Sequence, residues 1–148
     1  MPDKFNRPWR DQYQNSAMRV CVAMRDAFYS TFHKEFPGHV PDVNARVIAF
    51  VGPIVRDTVP IVVEGSRQGD ADVRVVDVGD DDVERYVVEE RPAGGSSDEW
   101  TNAISDPVRG NLFSTVTEAR TFVALLAAGY DRRKALTFVT DAANKAAR

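Results

Sequence analysis

Apolar residues in the first quarter of the chain recur every three or four positions. Tyr13, Ala17, Val20, Cys21, Met24, Phe28 and Phe32 fall on one stripe between Trp9 and Phe36, the spacing of side chains that share a helical face. Phe36-Pro37-Gly38 stops the pattern, because proline and glycine interrupt helices. Met18, Val22 and Phe28 add apolar bulk to the predicted helix beside Val20, Cys21 and Met24, more than one small sheet can cover. A helix apolar on more than one side is either central in its fold or meets another chain. Met18, Val22 and Phe28 are therefore the candidate self-association residues. Residues 17–24 also fit a buried strand, since a short apolar run does not discriminate between the two.

Val43, Val47, Phe50, Val51, Ile54 and Val55 are spaced as on a helix, but Gly52-Pro53 interrupts them and β-branched residues dominate. That balance favours a strand over 46–51 slightly above a kinked helix. Valine-rich runs at 59–64, 72–78 and 83–91 are separated by Gly65-Ser66-Arg67-Gln68-Gly69-Asp70 and Gly79-Asp80-Asp81-Asp82, the pattern of an antiparallel meander. Pro92-Ala93-Gly94-Gly95-Ser96-Ser97-Asp98-Glu99 reads as the most mobile internal loop, and 100–113 as irregular. Thr115 and Glu118 then have capping-box spacing ahead of Ala119, Phe122, Val123 and Leu126, with Gly129 as a left-handed stop. Asp131 opens a last helix that places Leu136, Val139, Ala143 and Ala146 on its buried side.

The expected fold class is α+β: a long N-terminal helix, a valine-rich antiparallel sheet of three or four strands, and a C-terminal helical hairpin. At 148 residues, 43% apolar and 28% charged, the composition is that of one globular domain, 1–148. Within it, 1–40 is helical, 41–92 the meander, 93–114 a loop region and 115–148 the hairpin. Cys21 is the single cysteine, so no internal disulfide forms and a reducing cytoplasm fits. The first residues lack the apolar core of a secretion signal, and no run approaches a membrane span. The expectation is a cytoplasmic protein with no membrane partner.

Charge is strongly segregated. Residues 1–56 carry eight Lys/Arg and five Asp/Glu, 57–106 four and fourteen, and 107–148 seven and three. The net −3 thus conceals an acidic middle between basic ends, which suits complementarity within or between subunits. Arg132, Arg133 and Lys134 stand in the first turn of the last helix, where the macrodipole is already positive. Solvated side chains screened by salt account for them. Anion or partner binding accounts for them too, with Lys145 and Arg148 added, and an acidic protein surface is a better fit than nucleic acid, given the chain's own fourteen central acids. The acids 70, 72, 77, 80, 81 and 82 lack calcium-loop spacing, because Arg74 occupies the place of a third ligand, so they read as solvated turns and edge charge. His33, Glu35 and His39 are separated by Pro37-Gly38 and do not share a helical face as zinc-binding histidines do. Cys21 reads as inert packing.

No phosphate loop, nucleophile elbow, C-x-x-C, zincin motif or dinucleotide fingerprint occurs. No catalytic residue, metal ligand or cofactor is assigned. The leading expectation is a non-enzymatic, self-associating structural or interaction subunit, a homo-oligomer. The alternatives are a nucleic-acid accessory protein using the basic C-terminal hairpin, and a small enzyme with a carboxylate or histidine site between sheet and hairpin. A meander closed by two helices resembles the plan of the coat subunits of small RNA phages, which implies a viral or mobile-element assembly protein; residues 1–40 lie outside that plan. The Gly129-Tyr130-Asp131 junction resembles the turn of ubiquitin-associated helical modules, without their third helix.

Overall fold

A computed structural model describes residues 5–35, 44–104 and 112–146. Among them are four helices and a four-stranded antiparallel sheet, an α+β architecture with a helix at the N-terminal end and a helical pair at the C-terminal end. The chain divides into two compact units. One is the helical stretch 7–61; the other holds residues 62 onward together with Phe5 and Asn6.

The helical unit consists of α1, Pro8–Glu35, and α2, Asn44–Thr58. Pro8 takes the first helical position, where its missing N–H costs nothing. The pair runs antiparallel: the Tyr13 hydroxyl near the start of α1 lies 3.1 Å from the carbonyl of Val55 and 2.8 Å from that of Val59, at the end of α2. Burial raises the pKa of this phenol, with Arg56 opposing and Asp57 adding to the shift. Cys21 and Val51 are buried in the seam.

The slight preference for a strand over 46–51 is overturned, because those residues lie inside α2. Pro53 sits within the helix and removes a single backbone donor, the one that would reach Ala49. Packing of the stripe centred on Val51 outweighs the weak β preference of the valines and isoleucines. The end of α2 is closed locally, by Thr58 Oγ1 donating to Ile54 O at 2.6 Å and Val59 N to Val55 O at 2.8 Å.

In the second unit, β1, Ile61–Gln68, β2, Ala71–Asp77, β3, Tyr86–Pro92, and β4, Thr101–Asn102, follow one another in spatial order. The turn expected over 65–70 shrinks to Gly69-Asp70, where Gly69 supplies the positive φ of 62°, so Gly65 through Gln68 extend β1 instead. Residues 83–85 are not strand. They close a tight loop in which Asp80 N donates to Val83 O, and Asp80 Oδ1 accepts from the amides of Asp82 and Val83. Register sets the two faces of the sheet: Val75 stands opposite Val88 and Asp77 opposite Tyr86 on one face, Asp72 opposite Arg91 and Arg74 opposite Glu89 on the other.

The first of those faces receives α3, Val116–Ala127, and α4, Arg132–Ala146, packs against α3. Val75, Tyr86, Val88, Phe113, Ala119, Phe122, Ala135 and Val139 are fully or almost fully buried. Phe113 comes from the stretch expected to be irregular. It exchanges backbone hydrogen bonds with Tyr86 and packs its ring 5.4 Å from that of Phe122. Thr115 Oγ1 accepts from Glu118 N as the capping pattern predicts. Gly129, φ 95°, ends α3 in a Schellman motif, with Tyr130 N donating to Leu125 O and Gly129 N to Leu126 O. Asp131 Oδ1 then caps α4 through Lys134 N at 2.9 Å.

Gly79 is the least replaceable residue of the meander. A Cβ there would collide with the Val83 carbonyl, which accepts from Asp80 N in the loop, and come within 2.8 Å of the Arg85 amide. Gly79→Ala is expected to lower unfolding stability by about 2 kcal/mol, read by urea denaturation. An unchanged midpoint would show that the loop relaxes at no cost.

Candidate functional site

The self-association residues are best placed by their angle around α1. Taking Cys21 as the direction of the seam and about 100° per residue, Met18 and Val22 lie about 60° and 100° to one side, and Val20 and Met24 equally far to the other. Met18 is 51% exposed. Met18 and Val22 border a groove of about 230 Å³, whose remaining walls are Cys21, Arg25, Val47 and Ile48. Ile48 stands on the matching flank of α2, so the groove is one face of the helical pair. Phe28 does not join it. That side chain is half-buried, about 20° from Cys21 round the helix, with its ring edge-on to Tyr29 at 6.3 Å. Val20 and Met24, which belong to the apolar stripe of the sequence, are exposed, because two helices share one seam and only its central residues are hidden.

The basic residues at the start of α4 have different partners. The Arg132 guanidinium lies across the sheet unit, donating to the Glu90 carboxylate on β3 and to the Ala103 carbonyl at 3.3 Å. Lys134 Nζ is 4.0 Å from its own helix cap, Asp131. Arg133 is exposed. Lys145 stands in the last turn of the same helix, roughly 20 Å along the axis from Arg132. Arg148 lies outside the described residues. Of the residues expected to bind an anion or partner, Arg132 and Arg133 border one depression of about 590 Å³ together with Glu90 and Asp131, and Lys145 stands apart from it.

On the sheet face away from α3, three arginines alternate with two carboxylates. Arg74 Nε donates to Glu89 at 2.8 Å and Arg91 Nε to Asp72 at 3.1 Å; Arg67 Nε reaches the other oxygen of Asp72 at 3.2 Å. The guanidinium carbons of Arg74 and Arg91 lie 4.0 and 4.5 Å from the ring centre of Trp100, so one indole holds both cations in place. Asp72 also accepts from the amide of Gly94 at 3.1 Å, which ties down the loop expected to be the most mobile. Within that loop Ser96 donates to Asp98 and Glu99, holding the Asp98 carboxyl below its usual range.

A cleft of about 300 Å³ runs between α3 and strands β1 and β2, with Val73, Val75, Val123, Ala124 and Ala127 among its walls. Its carboxylate, Glu64, is paired with Arg120 at 3.2 Å, and the Gln68 amide donates to Val123 O at 3.1 Å. The cleft is an apolar slot closed by committed polar links, without a poised acid and base. The side chain of His33, and His39 entirely, lie outside the described residues. Among the described residues no group of three His, Cys, Asp or Glu side chains is arranged to hold a metal ion, and no helix is long and apolar enough to cross a membrane. No family model, curated protein or solved structure matches the chain.

Sequence reasoning passed over Ile48, Phe50 and Ile54 as surface residues. The helical spacing noted around Val51 includes Phe50 and Ile54 but not Ile48, and the Gly52-Pro53 pair argues against reading it as a helix.

Two outcomes follow from these contacts. The Asp72 pKa is depressed, first by the Gly94 amide and then by Arg67 and Arg91. Its stabilisation is therefore present above the unfolded carboxyl value of about 3.9 and lost as pH falls through the lower folded value. Asp72→Asn should lower the melting temperature at neutral pH, and the difference should close progressively below about pH 4; a gap independent of pH would contradict this. At the start of α4, Arg132→Ala should cost about 1 kcal/mol in urea denaturation, a value limited by solvent at the half-exposed guanidinium. Arg133→Glu should gain about 0.3 kcal/mol from the macrodipole, and equal effects at the two positions would remove the distinction drawn here.

Proposed function

We propose that the protein is a non-enzymatic, self-associating structural subunit, an assembly protein of viral or mobile-element type. The observation that supports this most directly is the groove lined by Met18, Val22 and Ile48 on the helical pair. Methionine, valine and isoleucine left in water at a groove lose about 25 cal/mol for each Å² of apolar surface that remains uncovered, and a second apolar surface recovers it. Phe28, half-buried beside Tyr29, supports the shape of α1 rather than the contact itself.

Two residues that could serve another role are already engaged. Arg132 is paired with Glu90, which weakens the nucleic-acid alternative. Glu64 is neutralised by Arg120, which weakens the enzyme alternative. A homo-oligomer held by apolar surface needs neither.

The test is the mass in solution. Wild-type protein at high micromolar concentration should elute as an oligomer by size-exclusion chromatography with light scattering. Val22→Glu, which places a carboxylate in the groove, should shift the mass downward while the far-ultraviolet circular dichroism stays unchanged. A monomeric wild type would sink the reading. An absorbance ratio typical of nucleic acid on the same peak would replace it with the accessory-protein alternative.

A further inference from the structure

The helical pair carries a second apolar face that none of the residues discussed above explains. Around α2, with Val51 as the seam, Ile54 and Phe50 lie about 60° and 100° to the side away from Ile48. In an antiparallel pair the corresponding flank of α1 comes to that same side, and it presents Met24 and Val20. All four side chains are exposed. Phe50, at 70%, is the most exposed large apolar residue among those described.

We propose that this face is a two-fold contact in which α2 of one copy packs antiparallel against α2 of a second copy. The proposal rests on the reading of the chain as self-associating and adds a surface distinct from the Met18 groove. Its occupant is identified by the symmetry of the residues themselves. A contact between identical surfaces requires each residue to find its complement on that same surface. With the axis level with residue 52, midway between Phe50 and Ile54, Phe50 of each copy meets Ile54 of the other.

Charge obeys the same operation. Arg46 stands roughly six residues to one side of that level and Asp57 roughly five to the other, a mismatch of about 1.5 Å after rotation. Both project about 40–60° to the same side of the Phe50 and Ile54 direction. Antiparallel packing therefore brings Arg46 of one copy beside Asp57 of the other, at both ends of the contact. Neither charge is committed elsewhere in a strong pair: Arg46 is exposed and makes no ion pair among the described residues, and Asp57, 76% exposed, has Arg56 Nε at 4.0 Å. An unrelated partner would need no such internal match, whereas a second copy needs all of it.

The experiment is a charge exchange in the full-length protein, followed by sedimentation equilibrium. Arg46→Glu and Asp57→Arg each set like charges against one another at both ends and should weaken the association step by about tenfold. The double variant Arg46→Glu/Asp57→Arg restores opposite charges and should return to within about threefold of wild type. Phe50→Glu should remove this step altogether and leave the one that depends on Val22. Single charge variants that associate like wild type, or a double variant no better than either single one, would overturn the contact. If Val22→Glu lowers the mass and Phe50→Glu does not, self-association stands and this second face is refuted. If the wild type is a monomer, both readings fall together.

Discussion

An antiparallel pair of helices has one seam, and a seam hides only the side chains along its centre. Cys21 and Val51 fill that line in the helical unit, while Met18, Val22, Val20 and Met24 on α1, and Ile48, Phe50 and Ile54 on α2, lie to either side of it. Each helix carries an apolar arc too wide for a single neighbour, and the uncovered flanks form two faces on opposite sides of the pair. That geometric shortage, more than any individual contact, shapes the functional reading. A third and a fourth helix are what such arcs ordinarily meet.

The sheet unit solves a different problem by a different means. Its alternation of residues sends Val75 and Val88 toward α3 and Arg74, Glu89, Asp72 and Arg91 to the reverse side. There each guanidinium is held by a carboxylate, and two of them also by the indole of Trp100. The opposite signs are interleaved, so the face carries little net field, although it is dense in charge. Such pairing is a weak source of stability on a surface. It fixes geometry: Asp72 alone connects β1, β3 and the loop beyond β3 through Arg67, Arg91 and the Gly94 amide.

Much of this fold was legible in the sequence where local chemistry decides it. Thr115 with Glu118, Gly129 and Asp131 mark helix ends through hydrogen bonds made within a few residues, and all three behave as their spacing indicates. The valine runs of β2 and β3 were readable because turn residues bracket them. The failures share a cause. Residues 46–51 look like a strand by propensity and become helix because α2 packs along α1 and buries Val51, information that lies in a separate segment of the chain. Phe113 looks irregular and is a core residue because Tyr86, distant in sequence, supplies its backbone partners. The candidate site divides in the same way. Met18 and Val22 were visible as surplus apolar residues of one helix. The pairing of Arg132 but not of Arg133 was not, since only the position of Glu90 on β3 distinguishes two adjacent arginines.

The opposed faces of the helical pair have an architectural consequence. A subunit with one self-complementary face can form only a closed dimer. A subunit with two, on opposite sides of one layer, is divalent, and alternating two-fold axes then generate either a ring or a filament, according to the angle between them. That angle is set inside α1 and α2, by how the arcs around Cys21 and Val51 are spaced. The size of the finished particle would in that case be written into the helical periodicity of residues 18 to 54.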